Sequence, residues 1–167
     1  MLSRQSVIFL SALALGCSRG SAPAPTEAPP ATAAKESFGN VMAQVARRFE
    51  LAGRAANANR FELAEFEAGE IEELFETDVP GAEMPKEGPT AQIPALAKAF
   101  LATNAPELKR AAAAKDRAAF SAAFQNAAAA CNACHQASAK AVLVVPSEIG
   151  KPVPDLEPLP AASASAR

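Results

Sequence analysis

The 167-residue chain has no Trp and no Tyr, a single His, three Cys and three Met. Nine Phe therefore carry all of its aromatic bulk. Half of the residues are hydrophobic, but about half of those are Ala. Ala is the strongest helix former and is depleted in strands, so an all-β domain is disfavoured and an all-α fold is expected. A core this poor in bulk suits close-packed helices, or helices packed around a group the sequence does not encode. Neither sign of charge dominates: 16 Lys and Arg face 18 Asp and Glu, for a net charge of −2. That balance argues against a nucleic-acid binder. Three Cys are too few for a disulfide scaffold. The one long apolar stretch lies at the extreme N-terminus, which excludes a multi-span membrane protein. The length fits one domain of ordinary size and not two.

What is present begins with an address. Residues 1–16 read as a signal peptide, with Arg4 ahead of an apolar run from Val7 to Leu15. That run is too short to span a bilayer. It ends in Leu13-Ala14-Leu15-Gly16-Cys17, which resembles the bacterial lipobox, although Leu15 stands where a smaller residue is commoner. Cys17 is then the lipidated first residue of the mature chain, and its acyl chains anchor the protein without a transmembrane helix. The expected location is the membrane surface facing the periplasm, with the outer membrane slightly favoured because Ser18 rather than Asp follows the Cys. A plain secretory signal would instead give a soluble periplasmic protein. Residues 17–35 include Pro23, Pro25, Pro29 and Pro30 and suit an extended tether. Residues 146–167, with five more Pro and the ending ASASAR, are expected to be irregular or disordered.

The folded unit is thus expected over residues 36–145, as four helical segments. Phe38, Val41, Met42, Val45, Phe49, Ala52 and Ala56 share one face of a segment from about Glu36 to Ala58. Phe61, Ala64, Ala68, Ile71 and Phe75 share a face of a second, from about Arg60 to Thr77. Its opposite side is acidic, with Glu62, Glu65, Glu70, Glu72, Glu73 and Glu76. A Pro/Gly-rich loop follows. The third segment runs from about Ile93 to Ala114, turning Leu96, Phe100, Leu101 and Leu108 inward. Pro94 suits its first turn, whereas Pro106 is expected to kink or split it. Asp116 is the expected N-cap of a fourth segment reaching about Val142. Short joints make successive helices antiparallel neighbours, which predicts an antiparallel four-helix bundle.

The fourth segment carries Cys131-Asn132-Ala133-Cys134-His135, the Cys-Xaa-Xaa-Cys-His spacing of covalent haem attachment. One helical turn separates the thiols as two vinyl groups on one porphyrin edge require, and the adjacent imidazole reaches the iron from the same side. At 100° per residue, Phe120, Phe124, Ala127, Cys131 and His135 fall within one stripe of about 80°, with Cys134 beside it. The motif therefore points into the core, where a haem would supply the missing apolar bulk. A redox dithiol usually follows a strand, and none precedes this motif. A structural zinc site wants four ligands, and His135 is the only His.

Three helices followed by a fourth bearing Cys-Xaa-Xaa-Cys-His resemble the class II c-type cytochromes, that is, cytochrome c prime and its low-spin, Met-ligated relatives. The resemblance covers residues 36–145 and implies a bundle with one covalent haem c on the last helix. Cys131 and Cys134 would be the thioether residues and His135 the proximal ligand of the iron. Cytochrome c prime has an aromatic three residues after the His and a basic residue four after it; here those positions are Ser138 and Ala139, and Lys140 is the first basic residue. In the low-spin relatives a Met of the first helix fills the distal site, and Met42 is the matching residue. Met84, in the Pro/Gly loop, is the other candidate, and Phe38 could crowd the distal side of an open iron.

Candidate cations for the haem propionates are Arg47, Arg48, Arg54, Arg60, Lys98 and Arg110. The expected function is one-electron transfer by an exported cytochrome, without enzymatic turnover. The acidic face of the second segment could dock a basic redox partner, and class II bundles often form homodimers. Two alternatives stand beside this. One is a five-coordinate, cytochrome c prime-like protein that binds NO or CO. The other is a thiol or structural lipoprotein without haem.

Overall fold

The computed structural model describes residues 34–154. Cys17, the signal and tether segments and the end of the tail lie outside the described residues. The fold is all-α: four long helices and one single-turn helix, with no strand among the described residues. Helix α1 spans Phe38–Asn57, α2 Phe61–Glu76, the one-turn α3 Asp78–Gly81, α4 Ile93–Ala113 and α5 Arg117–Ala137. No helix among the described residues is long and apolar enough to cross a membrane.

Local chemistry sets the helix starts. Ser37 caps α1, its hydroxyl accepting from the Asn40 amide at 3.3 Å. Asp116 caps α5 by accepting from the amides of Ala118 and Ala119 at 2.9 and 3.0 Å. Pro94 occupies the first turn of α4, where its missing N–H is not needed. The helix ends share one device. Asn59, Lys115 and Ala139 take φ of 58°, 54° and 55°. At each, the following amide reaches back to close the last turn: Arg60 to the Ala55 carbonyl, Asp116 to Ala111 and Lys140 to His135. These are Schellman ends made without glycine.

Two helix expectations need correction. α4 runs unbroken through Pro106, so the expected split is absent. Ala105 and Leu108 on either side of the ring are fully buried, and that packing holds both halves in one helix. α5 stops at Ala137, not near Val142, because Ala139 supplies the left-handed turn for which Gly is the usual signal.

Helix α1 packs on α2, α2 on α4 and α4 on α5, with a slighter contact between α5 and α1. The buried faces agree with the periodicity. Phe49, Ile71, Leu108, Phe120 and Phe124 are 0–2% exposed. Phe49 stacks on Phe124 at 4.1 Å between ring centroids, and Phe75 stacks on Phe100 at 4.4 Å. Where α5 meets α1 directly, Gly53 permits the approach: a Cβ there would lie 2.9 Å from the Phe124 ring.

Beyond α5 the chain folds back. Val145 and Pro146 are buried, and Ile149 and Val153 lean on the core. The Val153 amide donates to Glu50 at 3.3 Å. Gly150, at φ 92°, passes so close to Asn57 that a Cβ would lie 2.9 Å from its side-chain nitrogen. Residues 146–154 are irregular, as Pro-rich chain should be, with Pro146 buried and Ile149 and Val153 against the core. We call residues 140–154 the strap; it closes the seam that α1 and α5 leave open.

Candidate functional site

A cavity of about 390 Å³ lies where α1 and α4 begin and α2 and α5 end. That volume falls within the range of small-molecule and cofactor sites, about 300–1,000 Å³. The expected inward faces run directly into it. Phe38 and Met42 of α1, Phe75 of α2 and Leu96 of α4 continue the stripes that are buried further along each helix, yet here they line open volume. Cys131, Cys134 and His135 line the same cavity from α5. Four of the five residues singled out from the sequence therefore converge on one space. The fifth, Cys17, lies outside the described residues. Met84 is not among the lining residues, which leaves Met42 as the thioether at the cavity.

The walls are apolar, and the charged side chains among them are Glu87 and Lys140, joined by the hydroxyls of Thr90 and Ser138. None of the six cations proposed from the sequence lines the cavity. Arg48 is committed elsewhere, at 3.1 Å from Glu67 and 2.9 Å from Glu70. Arg54 pairs with Glu50 at 3.2 Å. Arg110 is in the last turn of α4, away from the end where that helix meets the cavity. Lys140 is the cation the structure brings instead.

Both thiols are shifted upward in this setting. Burial, followed by the neighbouring Cys134, pushes the Cys131 thiol up to about 12. Burial also raises Cys134, offset in part by a hydrogen bond with Ser138. Reactive dithiols have lowered pKa values, and the shift here runs in the opposite direction. Both cysteines are free. Among the described residues no three His, Cys, Asp or Glu side chains converge to hold an ion by themselves.

His135 is oriented by the strap. Its Nδ1 lies 2.5 Å from the Leu143 carbonyl. A carbonyl only accepts, so Nδ1 must carry a proton, and in the neutral ring Nε2 then keeps its lone pair. This is the arrangement in which an imidazole is fixed for coordination by a partner on its other nitrogen. One turn back, Asn132 makes two bonds to one residue of the strap. Its Nδ2 donates to the Val145 carbonyl and its Oδ1 accepts from the Val145 amide, both at 2.8 Å. Only one orientation of the amide group satisfies both.

The sequence reading missed Asn132, Lys140 and the strap as parts of the site. A signal existed for Asn132: it is a polar side chain in a helix otherwise rich in Ala at that end. The acidic face of α2 is less available than its composition suggests. Glu62 pairs with Lys115 at 2.5 Å, Glu72 with Lys109 at 2.7 Å and Glu70 with Arg48.

Compared with protein-family models, with characterised proteins and with solved structures, the chain gives no match. The functional reading therefore rests on its own residues.

Proposed function

We propose that the chain is an exported c-type cytochrome that carries single electrons, built as an antiparallel four-helix bundle with one haem c on its last helix. One observation carries this reading: the two thiols and the single imidazole of Cys131-Asn132-Ala133-Cys134-His135 line one apolar cavity together with Met42. Haem iron, when bound, supplies a one-electron ferric–ferrous couple.

The residues present fit such a group. Cys131 and Cys134 would hold it by thioethers, each thiol adding sulfur to one vinyl carbon and its hydrogen to the other. His135 offers a lone pair on Nε2 because the Leu143 carbonyl holds the proton on Nδ1. Met42 would be the second ligand from this chain, and a thioether ligand would raise the potential and favour electron transfer. Phe38, Phe75 and Leu96 exclude water, and Lys140 is the cation at hand for a propionate. Cys17 anchors the mature protein to the membrane, and residues 17–35 tether the domain to that anchor. A redox protein is the expected partner.

Two measurements test the reading. Mass spectrometry of the chain exported from a haem-maturing host should find haem on the peptide containing Cys131 and Cys134, and Cys131→Ala with Cys134→Ala should abolish it. A thiol or structural lipoprotein would show no haem adduct. In the haem-bearing protein, Met42→Ala should open the iron and turn on CO binding. An unchanged low-spin spectrum in that variant would remove Met42 as the ligand. Ready CO binding by the unsubstituted protein would instead favour the NO- or CO-binding alternative.

A further inference from the structure

Helix α5 and the strap are joined by two side chains of the same motif. His135 meets the Leu143 carbonyl, and Asn132 grips both main-chain groups of Val145. Leu143 and Val145 are two residues apart in irregular chain, while Asn132 and His135 are three apart on a helix. The His135 bond and the two Asn132 bonds therefore share one short piece of backbone. They differ in what holds them. Leu143 is 44% exposed and its neighbour Val142 77% exposed, so side-chain packing does little to fix the Leu143 carbonyl, and on that side one turn bond, from the Leu143 amide to the Lys140 carbonyl at 2.9 Å, holds the residue. Val145 is 7% exposed, and its amide and carbonyl are both satisfied by Asn132.

We infer that Asn132 is a positioning residue for His135. By clamping Val145 it holds the Leu143 carbonyl against Nδ1, which keeps the proton on that nitrogen and leaves Nε2 free to coordinate. The purpose of this device rests on the cytochrome reading, but its existence does not. Replacing Asn132 removes both bonds to Val145 and leaves that point of the strap held by side-chain packing alone. The imidazole then loses its fixed acceptor and rotates or changes tautomer.

The single His makes the test direct, because a chain labelled with ring-¹⁵N histidine gives the resonances of one imidazole. The full chain is compared with Asn132→Ala and Asn132→Asp, haem-bearing or haem-free as purified, with helix content followed by circular dichroism. In the unsubstituted chain the Nδ1 proton should exchange slowly with solvent. In Asn132→Ala it should exchange at least tenfold faster, with helix content unchanged. Asn132→Asp keeps an acceptor for the Val145 amide and loses the donor to its carbonyl, so its exchange rate should fall between. Equal exchange of the Nδ1 proton in all three chains would overturn the inference. If Asn132→Ala loses helix, the comparison with Asn132→Asp decides in the same way. Haem content is measured separately. A chain without haem that shows the predicted exchange contradicts the cytochrome reading alone; a haem-bearing chain with equal exchange contradicts the positioning role alone.

Discussion

The same long helices build two unlike ends. Where α1 finishes and α5 begins, Phe120, Phe124, Leu108 and small Ala side chains fill the space completely. There Arg117 closes the end of α1, donating to the Asn57 carbonyl at 2.8 Å and its side-chain oxygen at 2.6 Å. Lys115 ties the α4–α5 joint to Glu62 at the start of α2. At the opposite end the same apolar stripes continue through Phe38, Met42, Phe75 and Leu96, and a cavity of about 390 Å³ remains between them. The difference shows that periodic hydrophobicity marks two kinds of surface alike: one that packs on protein and one that borders open volume.

That comparison is open to direct attack. The largest effect should separate two Leu residues of α4. Leu108 is fully buried at the filled end, and Leu108→Ala should cost about 2–5 kcal/mol. Leu96 lines the cavity, and in the haem-free chain Leu96→Ala should cost about 1 kcal/mol or less, because few contacts are lost. Urea denaturation of both variants reads the contrast, and equal costs would erase it.

Two glycines of α1 sharpen it. A Cβ at Gly53 would meet the Phe124 ring at 2.9 and 3.0 Å, so Gly53→Ala should destabilise by about 1–2 kcal/mol despite its gain in helix propensity. A Cβ at Gly39 would meet nothing within 4 Å, and Gly39→Ala should stabilise by about 0.5 kcal/mol. Thermal unfolding midpoints moving in the same direction for both would show that the packing contrast along α1 is not real.

The smallest effect concerns charge at the filled end. The Lys115 ammonium holds the exposed Glu62 carboxyl below its ordinary value of 4.5, chiefly through their hydrogen bond. A carboxyl lowered in the folded state contributes stability above its unfolded value and loses it as pH falls through the folded one. Glu62→Gln should therefore slightly reduce stability at neutral pH and change nothing once both carboxyl forms are protonated. Stability measured at pH 7 and again well below 4.5, at low and high salt, checks the sign.

Much of this was legible beforehand. The helix faces followed from spacing, and Asp116 was readable as a cap. The motif on α5 pointed inward because Phe120, Phe124, Ala127, Cys131 and His135 share one stripe. What escaped the sequence was chain that obeys no period. α5 seemed to continue to Val142 because its left-handed stop is Ala139, a residue with no preference for that conformation. Pro106 counted as a breaker, but burial of Ala105 and Leu108 outweighs one missing hydrogen bond. The strap was invisible because its anchors are main-chain groups of Leu143 and Val145, which carry no mark in the side-chain pattern. Lys140 lines the cavity only because that strap folds back. Arg47, Arg48, Arg54, Arg60, Lys98 and Arg110 are distinguished in the sequence by charge alone, and no rule of sequence ties charge to a cavity lined by four long helices, a loop and the strap.

The central claim is that the cavity end is completed by haem. Its most direct test is an optical spectrum of the full chain, exported in a host that matures c-type haem, recorded oxidised, reduced and under CO. The account predicts haem bands that survive acid extraction, a low-spin spectrum with a sulfur-to-iron charge-transfer feature, and little response to CO. A colourless protein from that host would contradict it.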